Sequence, residues 1–267
     1  MQDTATPPRD VGNHIREWRQ RRRMTQLGLA LDAEISARHL SFLETGRAHP
    51  SREMVLHLCE RLDIPLRERN VLLVAAGYAP VFAQRRLDDP ALKPALAAVE
   101  QVLGGHEPYP AIAVDRAWTM VSANRAVVPL LAGLSATLLK PPLNVLRLSL
   151  HPEGLAPRIA NLPEWRAHLL GRLRHQIEIT ADPGLELLMK ELRSYPTPIS
   201  RAPAAPDRLG GVAVPLQLVT EAGKLSFLST TTVFGTPVDV TVSELAIESF
   251  FPADDVTARA LQKIIPR

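Results

Sequence analysis

The stretch Thr25-Gln-Leu-Gly-Leu-Ala-Leu-Asp-Ala-Glu-Ile-Ser-Ala-Arg-His-Leu-Ser-Phe-Leu-Glu-Thr-Gly-Arg47 decides the reading of this chain. Two short helical segments meet in it through a tight turn. Thr25 supplies an N-cap for a helix over Gln26 to Ala33, and Ser36 caps a second over Ala37 to Thr45, which Gly46 stops. Helices joined so closely need a small residue facing the neighbour, and Ala30 is one. They also need apolar anchors beneath the second helix, which Ile35, Leu40 and Leu43 provide. The exposed N-terminal half of that helix then projects Ala37, Arg38, Ser41 and Phe42 outward.

A helix presented in this way fits the major groove of DNA, where arginine reaches two acceptors on one guanine. Arg38 is the candidate base reader, with a phosphate contact as its alternative role. Phe42 or Ala37 suits a thymine methyl, although helical spacing from Ile35 and His39 equally allows Phe42 to be buried. Thr25, Gln26 and Ser36 stand beside backbone amides at helix starts, the geometry that holds phosphate oxygens. Ser41 and His39 complete the candidate DNA-facing set on the helix. Arg47 and Arg52, just beyond it, suit phosphates better than bases.

Helical spacing extends outward from this motif. A first helix spans about Val11 to Arg22; a fourth begins at Pro50–Ser51 and ends near Asp63; a fifth starts at Pro65 and ends at Gly77. Short connections make residues 1–79 a compact all-helical unit. Arg16, Arg19, Arg21, Arg22 and Arg23 crowd one short segment of it, a pattern that also describes an ordinary solvated helix face. Residues 80–90 carry proline and arginine and read as a linker.

Past the linker the period changes. A helix over Ala91 to Leu103 precedes an apolar strand near Tyr109 to Val114, and an Asp115–Arg116 turn returns the chain through Trp118 to Ser122. Trp165, Leu169, Leu170, Leu173 and Ile177 recur at helical intervals. Gly210–Gly211 opens a strand over Val212 to Thr220, Glu221-Ala-Gly-Lys224 turns, Leu225 to Phe234 is the next strand, and Leu245 to Phe251 the last. Residues 91–267 therefore read as an α+β domain with an antiparallel sheet. An apolar sheet face crossed by helices encloses a slot, whose candidate lining is Ile112, Val114, Trp165, Leu169, Leu216, Leu218, Phe227, Leu228 and Phe250. Asn124 and His151 are the candidates to orient a polar headgroup. Each apolar residue also has the plainer reading of ordinary core, and each polar one that of a turn or cap.

The first unit resembles the helix-turn-helix of lambdoid phage repressors and the wider XRE family, from about Gly12 to Gly77. Gln26 opening the second helix, Ala30, and the Leu43-Glu44-Thr45-Gly46 close carry the likeness. The resemblance implies a lambda-repressor-like fold of five helices, in which Arg19 on the first helix pairs with Glu44 at the close of the recognition helix. One departure is Glu34, at a turn position where glycine is usual because φ is positive there; a Cβ costs roughly 1 kcal/mol. The second unit resembles the PAS-like ligand-binding domain of MmyB-like regulators. The matching phrases are Asn124-Arg-Ala, His151-Pro-Glu-Gly-Leu, Val233-Phe-Gly-Thr-Pro-Val-Asp-Val and Glu248-Ser-Phe-Phe-Pro-Ala-Asp254. Arg38-His-Leu-Ser-Phe-Leu-Glu44 and Pro50-Ser-Arg-Glu-Met54 are typical of the same subgroup. What this implies is a homodimeric transcription regulator that binds a double-stranded operator and senses a small apolar, fatty-acid-like ligand, with no cofactor.

Bulk properties narrow the classes. A net charge of +3 and a pI near 9.3 are compatible with a polyanionic partner without requiring one. No apolar run reaches the ~20 residues of a membrane span, and Met1 to Asp10 lacks the apolar core of a secretory signal. The single cysteine, Cys59, excludes an internal disulfide and any cysteine-rich zinc site, so a cytoplasmic setting is expected. No nucleophile elbow, Walker loop or dinucleotide fingerprint points to an enzyme. His168 and His175 lie two helical turns apart, roughly 10 Å, too far to share a metal unaided. Two other roles remain open for the second unit: a dimerisation or protein-partner platform without ligand, and the second domain of an antitoxin.

Overall fold

The computed structural model describes residues 10–196, 214–235 and 237–264. The chain divides into two compact units, one carrying the helices before Arg85 and the other carrying the sheet.

The first unit comprises α1 (Val11–Arg21), α2 (Gln26–Asp32), α3 (Ala37–Glu44), α4 (Arg52–Arg61) and α5 (Leu66–Ala75). The expected caps form. Thr25 Oγ1 accepts the N–H of Gly28 at 2.9 Å, and Ser36 Oγ accepts that of His39 at 3.0 Å. Ser51 does the same for Met54, so α4 begins one residue past the expected Ser51. Ile15, Leu29, Leu40, Leu43, Val55, Leu58 and Leu72 fill one core, and Ile35 packs half-buried against it. Glu34 adopts φ +54°, so the turn keeps the left-handed geometry that usually selects glycine. Gly12 is needed for a different reason. A Cβ there would lie 2.2 Å from the Leu43 carbonyl oxygen, so α1 approaches α3 at backbone distance.

The second unit opens with α6 (Lys93–Gly105), β1 (Ala111–Val114) and β2 (Met120–Ala123). Then come α7 (Val145–Leu150), α8 (Leu162–Thr180) and α9 (Pro183–Ser194). The remaining elements are β3 (Leu216–Thr220), β4 (Gly223–Val233), the single turn α10 (Val240–Ser243), β5 (Ala246–Pro252) and α11 (Asp255–Ile264). The described strands form one antiparallel sheet in the order β2-β1-β5-β4-β3, the PAS-like arrangement expected. The last strand thus enters the middle of the sheet. Its two faces alternate as a pleat requires. Ile112 and Val114 face the core under α8 and α9, whereas Ala111, Ala113 and Ile247 face Val99 and Leu103 of α6.

Some expectations need adjustment. The first strand starts at Ala111 rather than Tyr109. Trp118 sits before β2 with φ +63° instead of inside it. The expected opening at Gly210–Gly211 and Val212 lies outside the described residues. α7, α9 and α11 are additions that periodicity did not single out.

Candidate functional site

The helix-turn-helix is held by a buried ion pair. Arg19 Nε donates to Glu44 Oε1 at 2.6 Å and Nη2 to Oε2 at 2.9 Å, while Nη1 donates to the Met24 carbonyl at 2.8 Å. The two side chains are 10% and 1% exposed. Burial alone would raise the Glu44 pKa, but hydrogen bonds from Arg19 and Gln26 and the charges of Arg19 and Arg16 outweigh it, leaving the carboxyl below its ordinary value.

Gln26 takes part in this network, its amide donating to Glu44 Oε2 at 2.8 Å. That ties down a side chain that the sequence reading placed at phosphate. Thr25 and Ser36 likewise use their hydroxyl oxygens as cap acceptors and remain exposed at the helix starts. Arg38 is exposed on α3 with its guanidinium 5.3 Å from the Phe42 ring centroid, and Phe42, Ala37, His39 and Ser41 are half-buried. Arg47 and Arg52 are exposed beyond the helix. The arginine cluster of α1 splits by role. Arg19 serves Glu44, Arg22 donates to the Leu62 and Asp63 carbonyls that end α4, and Arg16, Arg21 and Arg23 are exposed.

The second unit contains a cavity of about 100 Å³ between the sheet and its covering helices. From the sheet, Ile112, Leu216, Leu218, Phe227 and Phe250 line it; from α8, Trp165 and Leu169 do. Four other candidates stand elsewhere. Leu228 follows Phe227 on a strand, so its side chain takes the opposite face. Val114 is packed in the core away from the cavity wall. Asn124 is consumed by backbone: its Oδ1 accepts the Ala111 N–H and its Nδ2 donates to the Leu103 and Tyr109 carbonyls. His151 turns a corner, with Nδ1 accepting the Glu153 N–H and its ring edge-on to Tyr195 at 5.0 Å.

Sequence reasoning missed the polar wall. Arg172 on α8 and Glu248 on β5 both line the cavity, together with Ser149, which accepts a hydrogen bond from Trp165 Nε1 at 3.0 Å. The signals were present. Arg172 is seven residues from Trp165, hence on the same helix face, and Glu248 is two residues from Phe250, hence on the same strand face. His168 stacks on Trp165 at 5.3 Å, and burial followed by the nearby Arg172 charge lowers its pKa, with Glu248 opposing. No cluster of three metal-ligating side chains occurs among the described residues, and none of their helices is long and apolar enough to cross a membrane.

A family model described as the MmyB-like transcription regulator ligand binding domain matches residues 95–264, and a helix-turn-helix domain model matches residues 10–72. No curated protein matches. Among solved structures, an RNA-binding light-oxygen-voltage receptor is similar at 13% identity and a TM-score of 0.24. The match covers 97% of this chain but only 65% of that one, and at such a score it supports no argument.

Proposed function

The chain belongs to the family of transcription regulators with an MmyB-like ligand-binding domain, and from that premise we propose that it is a homodimeric, XRE-type repressor or activator that reads a specific operator and senses a small apolar ligand of fatty-acid-like build. The observation that carries this reading is the cavity. It is lined by apolar side chains from sheet and helix together with three polar residues, Ser149, Arg172 and Glu248, the composition of a small-molecule site.

Arg38 is the reader in this account. Its guanidinium lies beside the Phe42 ring, which supports a reading in which Arg38 meets a guanine edge and Phe42 a neighbouring thymine methyl. Arg38→Ala is expected to lose about 1–3 kcal/mol of discrimination at one base pair per half-site. Operators selected from random DNA measure it. An Arg38→Ala variant that retained the full wild-type preference over scrambled DNA would remove Arg38 from that role.

Ligand sensing is tested on gently purified protein by native mass spectrometry, followed by thermal shifts across acyl amphiphiles. A ligand at a hundred times its Kd adds about 2.7 kcal/mol, which raises Tm by roughly 5–10 °C in a domain of this size. A clean apo mass with no shift across the series would favour the platform reading. That second reading has one observation behind it. A cavity of about 100 Å³ is smaller than the ~150 Å³ known to admit benzene, so an acyl chain must displace side chains to enter. Met120, Leu130 and Leu131 are among the half-buried lining side chains that would have to move.

A further inference from the structure

Apart from Ser149, the cavity lining is apolar but for two opposite charges, which neutralise each other. Arg172 Nη1 donates to Glu248 Oε2 at 3.0 Å and Nη2 to Oε1 at 2.6 Å. Thr231, directly across the β4–β5 ladder from Glu248, accepts from Nη2 at 2.8 Å and donates to Oε1 at 2.9 Å. The Glu248 side chain is 4% exposed and that of Arg172 26%. The guanidinium also lies 5.0 Å from the Trp118 ring centroid, within cation–π range.

We propose that this paired wall selects an amphiphile with an uncharged polar head, such as an alcohol or primary amide, over the carboxylate or amine of the same chain. The inference rests on the reading that the cavity takes an acyl-chain ligand, and narrows that reading at the head group, where it disfavours the free acid. A lone arginine at the end of an apolar slot would recruit a carboxylate. Here the attraction of Arg172 for an incoming carboxylate is opposed by Glu248 within the same few ångströms, and the newcomer leaves one net negative charge buried. An ammonium head meets the mirror problem at Arg172. A neutral head avoids both. Arg172 Nε–H and one Nη1 hydrogen are not engaged among the described residues, and they can donate to its oxygen. The Glu248 oxygens retain lone pairs for its O–H or N–H.

The plain alternative is that the pair merely pins α8 to β5. The two roles separate in head-group selectivity, which a structural clamp leaves untouched. The test measures binding of an acid, alcohol, primary amide and amine of one chain length, by calorimetry on the full-length protein at about pH 8, where the acid is ionised. The alcohol and amide are expected to bind at least about tenfold more tightly than the acid and the amine. In Glu248→Gln the acid should gain at least about tenfold relative to the alcohol, because Arg172 is then unpaired. Equal or better binding of the acid by the wild-type protein overturns the proposal while leaving the ligand-sensing reading intact. So does a Glu248→Gln variant that binds the alcohol with an unchanged acid-to-alcohol ratio. If no member binds, both fall. Retained alcohol binding certifies that the variant is folded; if it is not, the wild-type ratio alone decides.

Discussion

Arg19→Ala is expected to melt the helix-turn-helix, at a cost of about 3–5 kcal/mol, the range for removing one partner of a buried pair. The geometry explains why the loss is so large. Glu44 keeps its negative charge in a site where its side chain is 1% exposed, and it loses both guanidinium bonds at once. The Met24 carbonyl loses a donor as well. The Gln26 amide and the charge of Arg16 remain, neither of which replaces the lost bidentate pair. Removing both charges should cost far less, so Arg19→Met with Glu44→Leu is predicted to recover most of the stability. Hydrogen exchange at the α3 amides reads the effect locally, and wild-type protection in Arg19→Ala would refute it. The same pair sets an acid limit. Because the native Glu44 pKa lies below its ordinary value of 4.5, its stabilising contribution is fully present above that value. It is then lost as pH falls through the lower native value. Protection of α3 should therefore decline on acidification earlier in variants lacking Gln26 than in the wild type.

That network also shows how far the sequence could be read. The caps at Thr25 and Ser36 and the anchors Leu40 and Leu43 are local, and each is legible because its cause lies within four residues of its effect, whereas the left-handed turn at Glu34 is expected only from the family resemblance, since Glu34 itself argues against it. The sheet was legible as strands but not as an order. Placing β5 between β1 and β4 is decided by pairings such as Ile112 with Glu248, separated by more than a hundred residues, which no local pattern encodes. The candidate cavity lining failed where period was not applied strictly. Phe227 and Leu228 are neighbours on one strand and face opposite ways, whereas Glu248, on the same face as Phe250, is absent from the candidate lining although the period that admits Phe250 admits it too. Its partner is 76 residues away, on a helix. Asn124 and His151 mislead for a related reason. Both hold backbone in place, and a family phrase preserves such residues as faithfully as it preserves a ligand contact.

Operator binding is expected to fall by about a hundredfold between 50 and 200 mM salt, the behaviour of a dimer that neutralises about four phosphates, two per half-site. The count follows from which arginines remain available. Arg19 and Arg22 are committed inside the unit, to Glu44 and to the carbonyls ending α4. Arg47 and Arg52 are exposed beside the recognition helix, and Arg52 begins α4, where backbone amides also point outward. The exposed amides of α2 and α3 add contacts without adding charge, so they strengthen binding without steepening its salt dependence. Arg47→Ala and Arg52→Ala should each weaken every DNA sequence alike and reduce the logarithmic salt slope by about one per half-site. Arg38→Ala should do the reverse, leaving the slope nearly unchanged while eroding preference among sequences. Anisotropy titrations at several salt concentrations, on operator and on scrambled DNA, separate the two classes. A wild-type slope no steeper than about two would mean that these arginines do not face the phosphate backbone, and the docking of α3 into the groove would have to be abandoned with them.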